Sequence, residues 1–97
     1  MKEKYFKVRS VYKDAIIFVK SGHLYNCFFG DAVIIHYLTG YKIINNKVGF
    51  PSKVLSQVLS KVNQLHIGYI LVYEFDRMIK YIHPSNSYTL AQHFLVG

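Results

Sequence analysis

Cysteine, proline and acidic residues are scarce in this sequence. The 97 residues include one cysteine, two prolines, no tryptophan and five Asp or Glu. A single cysteine, Cys27, can neither close an internal disulfide nor supply a cysteine-based zinc site, which disfavours a secreted scaffold and predicts a cytoplasmic location. The apolar runs are shorter than the roughly 20 residues that cross a bilayer, and no export signal is recognisable. We therefore expect no membrane partner.

Motifs for catalysis and cofactor binding are also missing. The glycines lack the spacing of phosphate-binding loops, and the histidines lack the spacing of a zinc-protease helix. Cys27 lies among large apolar neighbours, where a buried, unreactive thiol is usual. Glu74 and Asp76 are the one close carboxylate pair, and a metal-dependent nuclease is the minor alternative that they leave open. We expect a protein that is not an enzyme and has no cofactor or metal site.

Positive charge is abundant and unevenly distributed. Twelve Lys and Arg against five Asp and Glu give a net charge of +7. No acidic residue occurs between Ala32 and Tyr73, a stretch that contains Lys42, Lys47, Lys53 and Lys61. This imbalance favours a polyanionic partner such as nucleic acid, although a solvated, lysine-rich surface is an equally simple interpretation.

The hydrophobic pattern predicts one folded domain over residues 1–97. With 52% hydrophobic residues, the chain has enough apolar surface for a core of its own. Helical spacing predicts a basic helix over residues 3–12, and Asp31 is a plausible N-cap for a helix that runs to Thr39 before Gly40. Five apolar positions at helical spacing predict a third helix over residues 54–62 after Ser52, and a short helix is placed over residues 89–94.

The remaining apolar segments predict strands. Compact runs over residues 15–19 and 24–29 suggest a hairpin, and two short strands at 41–44 and 47–50 flank an Asn45-Asn46 turn. The nearly uninterrupted apolar run 67–75 predicts a strand that is central in the sheet and covered on both faces. Residues 78–82 form the last predicted strand.

Several local strings, in order, resemble the N-terminal mismatch-recognition domain of the MutS family of DNA mismatch repair proteins. The string from Gly22 to Phe29 is similar to the family's Gly-Asp-Phe-Tyr-Glu-Leu-Phe, and Asp31-Ala32 follows where the family opens a helix. Gly49-Phe50-Pro51 then enters the helix over 54–62, as the family's Gly-Ile/Val-Pro does. The resemblance spans nearly the whole chain and implies an α+β fold, a mixed β-sheet flanked by helices.

The same resemblance implies a DNA-contacting motif. In the family a Phe-x-Glu pair acts at the mismatch: the Phe wedges beside the mispaired base and the Glu hydrogen-bonds it. Leu24 and Asn26 stand at those two positions, with Tyr25 between them. Leucine is an accepted minor-groove wedge but lacks the flat face whose stacking on a base is worth roughly 1 to 3 kcal/mol. The replacement therefore predicts general DNA contact with weakened mismatch specificity.

The resulting hypothesis is a non-catalytic module that binds double-stranded DNA, including mismatched or distorted duplexes. Leu24 and Asn26 are the candidate contacts to the base stack, and the candidate phosphate contacts are Lys20, His23 and Lys53. The family's connector, clamp and ATPase domains have no counterpart in these 97 residues. We therefore expect any DNA affinity to be weak and salt-dependent.

The alternative is a protein-interaction module that keeps the fold but has lost DNA binding. Its support is the replaced Phe-x-Glu motif together with the surplus tyrosines, which are favoured at interfaces and would dock a repair, replication or mobile-element protein. For Leu24 itself, the simplest alternative is that it packs into the sheet edge. The dependence of binding on salt concentration distinguishes the two hypotheses. Contacts from several lysines to phosphates weaken steeply as ionic strength rises, whereas aromatic docking does not.

Overall fold

The computed structural model describes residues 1–74 and 77–97. In chain order, its helices are α1 (Lys2–Val11), α2 (Phe29–Thr39), α3 (Leu55–Gln64) and α4 (Tyr88–Ala91). A 3₁₀ turn, Ser52–Val54, precedes α3, and α4 continues as a π-helical segment over Gln92–Val96. The strands are β1 (Ile16–Ser21), β2 (Leu24–Phe28), β3 (Lys47–Pro51), β4 (Tyr69–Val72) and β5 (Met78–Tyr81). Most of the predicted elements are thereby confirmed.

The five strands form one sheet in the order β3-β2-β1-β4-β5. β1 and β4 run parallel, while the other three pairs are antiparallel. The sheet is therefore mixed, which confirms the predicted α+β class. The middle strand is β1, so the prediction that the 67–75 segment is central is corrected to an interior position next to the β5 edge. Phe75, in that segment, lies outside the described residues.

Apolar side chains alternate across the sheet and build a core on each face. On one face, α1 places Tyr5 and Val8 against Ile17 and Val19 of β1 and Ile70 of β4. The other face packs against α2, α3 and α4. The sheet buries Ile16, Phe18, Tyr25, Phe50 and Leu71 there, and α3 buries Val58 and Val62. Because β1 and β4 are covered on both sides, their sequences are apolar at successive positions rather than at alternate ones.

The predicted strand at 41–44 is wrong. These residues form a loop with a single β-bridge between Ile44 and Lys47. The ring of Tyr41 stacks on Phe50 with centroids 5.9 Å apart, so a loop contact partly buries it without a strand ladder. The predicted Asn45-Asn46 turn is confirmed, since both residues have positive φ, 52° and 60°.

The predicted N-cap role of Asp31 is also wrong. α2 begins at Phe29 after an N-cap residue, Phe28, that makes no side-chain cap hydrogen bond. Asp31 is instead fully buried, and its carboxylate accepts hydrogen bonds from the backbone N–H of Ile17 and the hydroxyl of Tyr88. It also pairs with the guanidinium of Arg9 of α1, at 2.5 Å, and accepts a long hydrogen bond from Gln92 Nε2, at 3.4 Å. The carboxylate therefore joins elements across the fold.

Candidate nucleic-acid interface

The β1–β2 hairpin carries the residue predicted to act as a wedge. Ser21 lies opposite Leu24, which leaves Gly22-His23 as a two-residue turn, and Gly22 has a φ of 60° that suits such a turn. Leu24 is the first residue of β2 and is 46% exposed. An apolar side chain at the end of a paired strand, with nearly half of its surface in solvent, is available to a partner.

A backbone hydrogen bond joins the hairpin turn to the 3₁₀ turn before α3. The N–H of Ser52 donates to the carbonyl oxygen of His23 at 2.8 Å, and Pro51 lies opposite Leu24 in the β2–β3 register. Lys53 follows directly and is exposed. Three of the predicted contact residues, His23, Leu24 and Lys53, are therefore brought to one end of the sheet.

Asn26 takes a different position from the one predicted. It is only 1% exposed, and its Nδ2 donates to the carbonyl oxygen of Val19 on β1 at 3.2 Å. Its cross-strand partner is Gly49, where an added Cβ would lie 3.0 Å from Asn26 Oδ1. A contact between Asn26 and a base would therefore require the amide to leave Val19.

Lys20 lies on the other face of the sheet from Leu24. It pairs with Tyr25, and successive residues of a strand point to opposite faces. Its ammonium nitrogen lies 6.0 Å from the ring centroid of Tyr25 and 5.9 Å from that of Tyr73. Lys20 is therefore separated from the surface that carries Leu24.

A shallow groove of about 400 Å³ runs along the β3 edge beside Leu24. The loop before β3 contributes Tyr41, Lys42 and Ile44, and β3 itself contributes Lys47. Asn26 and Gly49 also line the groove. Because Asn26 is buried, it forms part of the floor, and the absence of a side chain at Gly49 keeps the groove open above it. We refer to these seven residues, including Leu24, as the β3-edge groove.

The β3-edge groove is electropositive. Its described lining contains two lysines and no acidic side chain. Sequence reasoning did not assign Lys42 and Lys47 to the site, although both belong to the acid-free stretch between Ala32 and Tyr73. What the sequence could not show is that the loop folds back along β3 and places them beside Leu24.

Two kinds of group considered from the sequence, a metal-ligand cluster and a cysteine nucleophile, can be compared with the described part of the chain. No group of three or more His, Cys, Asp or Glu side chains there is placed to hold a metal ion. Burial raises the pKa of the Cys27 thiol well above its ordinary value, and the nearby Asp31 raises it further, so the thiol is held in its unreactive form. Asp76, half of the carboxylate pair considered from the sequence, lies outside the described residues.

The comparison with protein families identifies this fold. The profile of the family described as MutS domain I matches residues 1–73, which include α1 to α3 and β1 to β4. The chain belongs to the MutS domain I family. The β3-edge groove lies wholly within the matched segment of this MutS domain I, whereas β5 and α4 lie beyond it. No curated protein matches the sequence of the chain.

Within residues 1–74 and 77–97, no helix combines the length and the apolar character that a bilayer span requires.

Proposed function

We propose that this MutS domain I is a non-catalytic module, formed by all 97 residues, that binds double-stranded DNA through the β3-edge groove and the adjoining hairpin tip. The observation that carries the proposal is the exposed Leu24 at the end of β2, beside a groove with two lysines and no described acidic residue. Family membership supports DNA as the partner.

Leu24 has the properties of a wedge. Apolar side chains that are inserted between base steps partly unstack them, and a leucine can do this without any hydrogen bond. The pairing of Leu24 with Pro51 and Ser21 fixes its backbone between two strands, so little conformational entropy remains to be lost on insertion. This preorganisation favours insertion where stacking is already weakened, as at a mismatch or an unpaired base.

The lysines supply sequence-independent affinity. Lys42 and Lys47 line the groove, and Lys53 with His23 lies at the hairpin end, so we assign phosphate contacts to these four residues. Lys20 faces the opposite side of the sheet, so the proposal gives it no part in the same contact. We give Asn26 a positioning role, since its hydrogen bond to Val19 holds β2 against β1 beneath the groove.

The test is fluorescence anisotropy with three labelled duplexes: one fully paired, one with a G·T mismatch and one with an unpaired base. Each is titrated over a salt series with wild type and with Leu24→Ala. Leu90→Ala is the matched control, because Leu90 is also an exposed leucine, at 59%, but lies on α4. We expect salt-sensitive binding of all three duplexes, with tighter binding of the two defective ones.

We expect Leu24→Ala to remove most of that preference, while Leu90→Ala leaves it intact. Equal binding of the three duplexes by wild type would reduce the role of Leu24 to a nonspecific contact. If wild type binds no duplex even at low salt, the DNA-binding proposal is wrong.

A further inference from the structure

A second depression lies far from the β3-edge groove, between α1 and the strands β4 and β5. Its narrower part is a cavity of about 120 Å³ lined by Val8 and Val11 of α1, by Tyr12, which follows that helix, by Val72 of β4 and by Met78 of β5. Its wider part, about 330 Å³, continues past Val11 and Tyr12. Because both parts share these two side chains, they form one trough, which we call the α1–β5 trough.

Several apolar side chains are exposed around the trough. Val11 is 68% exposed, Met78 is 40% exposed, and Ile82, which lines the wider part, is 75% exposed. Contiguous exposed apolar residues around one depression are typical of interaction sites. The narrower cavity is lined mainly by apolar side chains, which suits an aliphatic side chain of a partner.

The trough is bordered by positive charge. Lys4 contributes to its narrower part, and Lys13 and Lys80 contribute to its wider part. The ammonium group of Lys80 donates to the hydroxyl of Tyr12 at 2.8 Å and lies 4.9 Å from the centroid of its ring, which fixes both side chains at the middle of the trough. Asp14 is the one acidic residue among the described lining and lies in the wider part.

The apolar lining of the trough and the lysines at its border together favour one kind of occupant. A second copy of the chain also carries a net charge of +7, so electrostatic repulsion between the two copies opposes self-association at this site. A phosphodiester backbone would satisfy the lysines but could not fill an aliphatic cavity. An acidic peptide segment with an aliphatic side chain satisfies both, since the side chain enters the cavity and the carboxylates meet the lysines.

We propose that the α1–β5 trough is a docking site for an acidic, leucine-bearing segment of a partner protein. This inference goes beyond DNA binding at the β3-edge groove and does not depend on it. The two sites lie at opposite edges of the sheet, so a partner protein and a duplex could be held at the same time.

The probe for this site is a fluorescently labelled acidic peptide that carries a Leu-x-x-Leu pair, with a second peptide in which serine replaces both leucines. Both are titrated against wild type, Val11→Asp, Met78→Asp and the control Leu90→Asp. The three replaced side chains are exposed, and the far-ultraviolet circular dichroism of each variant confirms its fold. Two separate trough variants keep the test valid if one of them is unstable.

We expect wild type and Leu90→Asp to bind the leucine peptide equally. Val11→Asp and Met78→Asp should each weaken binding about tenfold or more, because each places a carboxylate against the leucine side chain that the peptide buries in the trough. The serine peptide should bind at least about tenfold more weakly than the leucine peptide to wild type.

Three results would overturn the proposal. One is no binding of the leucine peptide even at low salt. Another is equal binding of the two peptides, or an equal loss in Leu90→Asp, either of which would show charge attraction alone. The third is a loss of duplex binding in Val11→Asp and Met78→Asp as large as the loss of peptide binding, which would identify the trough as a DNA surface. Duplex binding that persists without peptide binding would leave the DNA proposal standing by itself.

Discussion

Two regions of this domain use charged side chains in opposite ways. Below α1, Arg9 and Asp31 form an ion pair at 2.5 Å, with the carboxylate fully buried. At the β3-edge groove, Lys42 and Lys47 line an open surface with no described acidic neighbour in the lining. The first arrangement uses its charge within the fold, and the second leaves it available to a partner.

The interior arrangement connects segments that are distant in sequence. Asp31 accepts hydrogen bonds from Ile17 of β1 at 2.9 Å and from Tyr88 of α4 at 2.6 Å. Gln92 adds a donor to the hydroxyl of Tyr88 at 2.9 Å. Tyr88 and Gln92 lie beyond the segment that matches the family, so the end of the chain completes a network whose centre belongs to the matched part.

The largest expected effect is that of Asp31→Ala on stability. The change leaves the Ile17 N–H and the Tyr88 hydroxyl without their acceptor and removes the partner of Arg9, so the free energy of unfolding should fall by about 3 to 5 kcal/mol. Chemical denaturation measures it. The matched control, Asp14→Ala, removes an exposed carboxylate and should stay within about 0.5 kcal/mol of wild type. A decrease below about 1 kcal/mol in Asp31→Ala would show that the buried pair is not structural.

The same carboxylate should give stability a distinct pH dependence. Burial raises the pKa of Asp31 from 3.8 to about 6, against the opposing effects of Arg9 and of the hydrogen bonds from Tyr88 and Ile17. Between these values the folded protein retains a proton that the unfolded chain releases. The extra stability that comes from this retained proton is therefore fully present below pH about 4 and is lost as the pH rises through about 6, whereas the hydrogen bonds of the carboxylate remain.

The measurement compares wild type with Asp31→Ala from about pH 4 to about pH 7, because the titrations of other groups largely cancel in the difference. The stability difference should shrink by up to about 3 kcal/mol as the pH rises, at about 1.4 kcal/mol for each pKa unit. A difference that stays constant, or grows with pH, would mean that the carboxylate is already ionised throughout this range.

At the open region, Leu24→Phe should strengthen DNA binding. A phenyl ring restores the flat face that stacks on a base, which is worth roughly 1 to 3 kcal/mol, and the exposed position leaves room for it. Anisotropy titration with the unpaired-base duplex measures the gain, and denaturation should show stability close to that of wild type. Unchanged affinity would argue that Leu24 does not reach the base stack.

The smallest expected effect concerns the lysines of the groove. Replacing both Lys42 and Lys47 by alanine should flatten the dependence of log K on log salt by about 1.8, or about 0.9 for each phosphate that the variant no longer neutralises. Stability should hardly change. Lys61→Ala, on exposed α3 surface away from the groove, is the control and should leave the slope as it is. An unaltered slope in the double variant would place the phosphate contacts elsewhere.

Local patterns in the sequence were sufficient for most of the fold. Apolar residues at helical spacing predicted α3, and uninterrupted apolar runs predicted β1 and β4. In these segments the buried positions form a pattern that is visible within a few consecutive residues. The segment 41–44 has a similar composition, but it forms a loop in which Tyr41 is partly buried by stacking on Phe50. Composition could not distinguish that contact from a strand.

The candidate site was predictable only in part. The resemblance of the β2 string to the MutS family pointed to Leu24, which is exposed as expected, and to Asn26, which is buried. The role of Asp31 was out of reach, because its side-chain partners Arg9 and Tyr88 lie 22 and 57 residues away. Local sequence indicates a helix cap at such an aspartate, whereas only the tertiary structure shows the network.

The parallel pairing of β1 with β4 has a consequence for the order of folding. Residues 16–19 of β1 pair with residues 69–72 of β4, so this pairing in the middle of the sheet cannot form until β4 has left the ribosome. The β1–β2 hairpin, with its two-residue turn, can assemble earlier, and β3 can pair with β2 once α2 and the following loop have been made, because shorter loops close at a smaller loss of entropy. During synthesis the apolar edge of β1 stays open until β4 arrives, and this interval is when the nascent chain is most prone to aggregate.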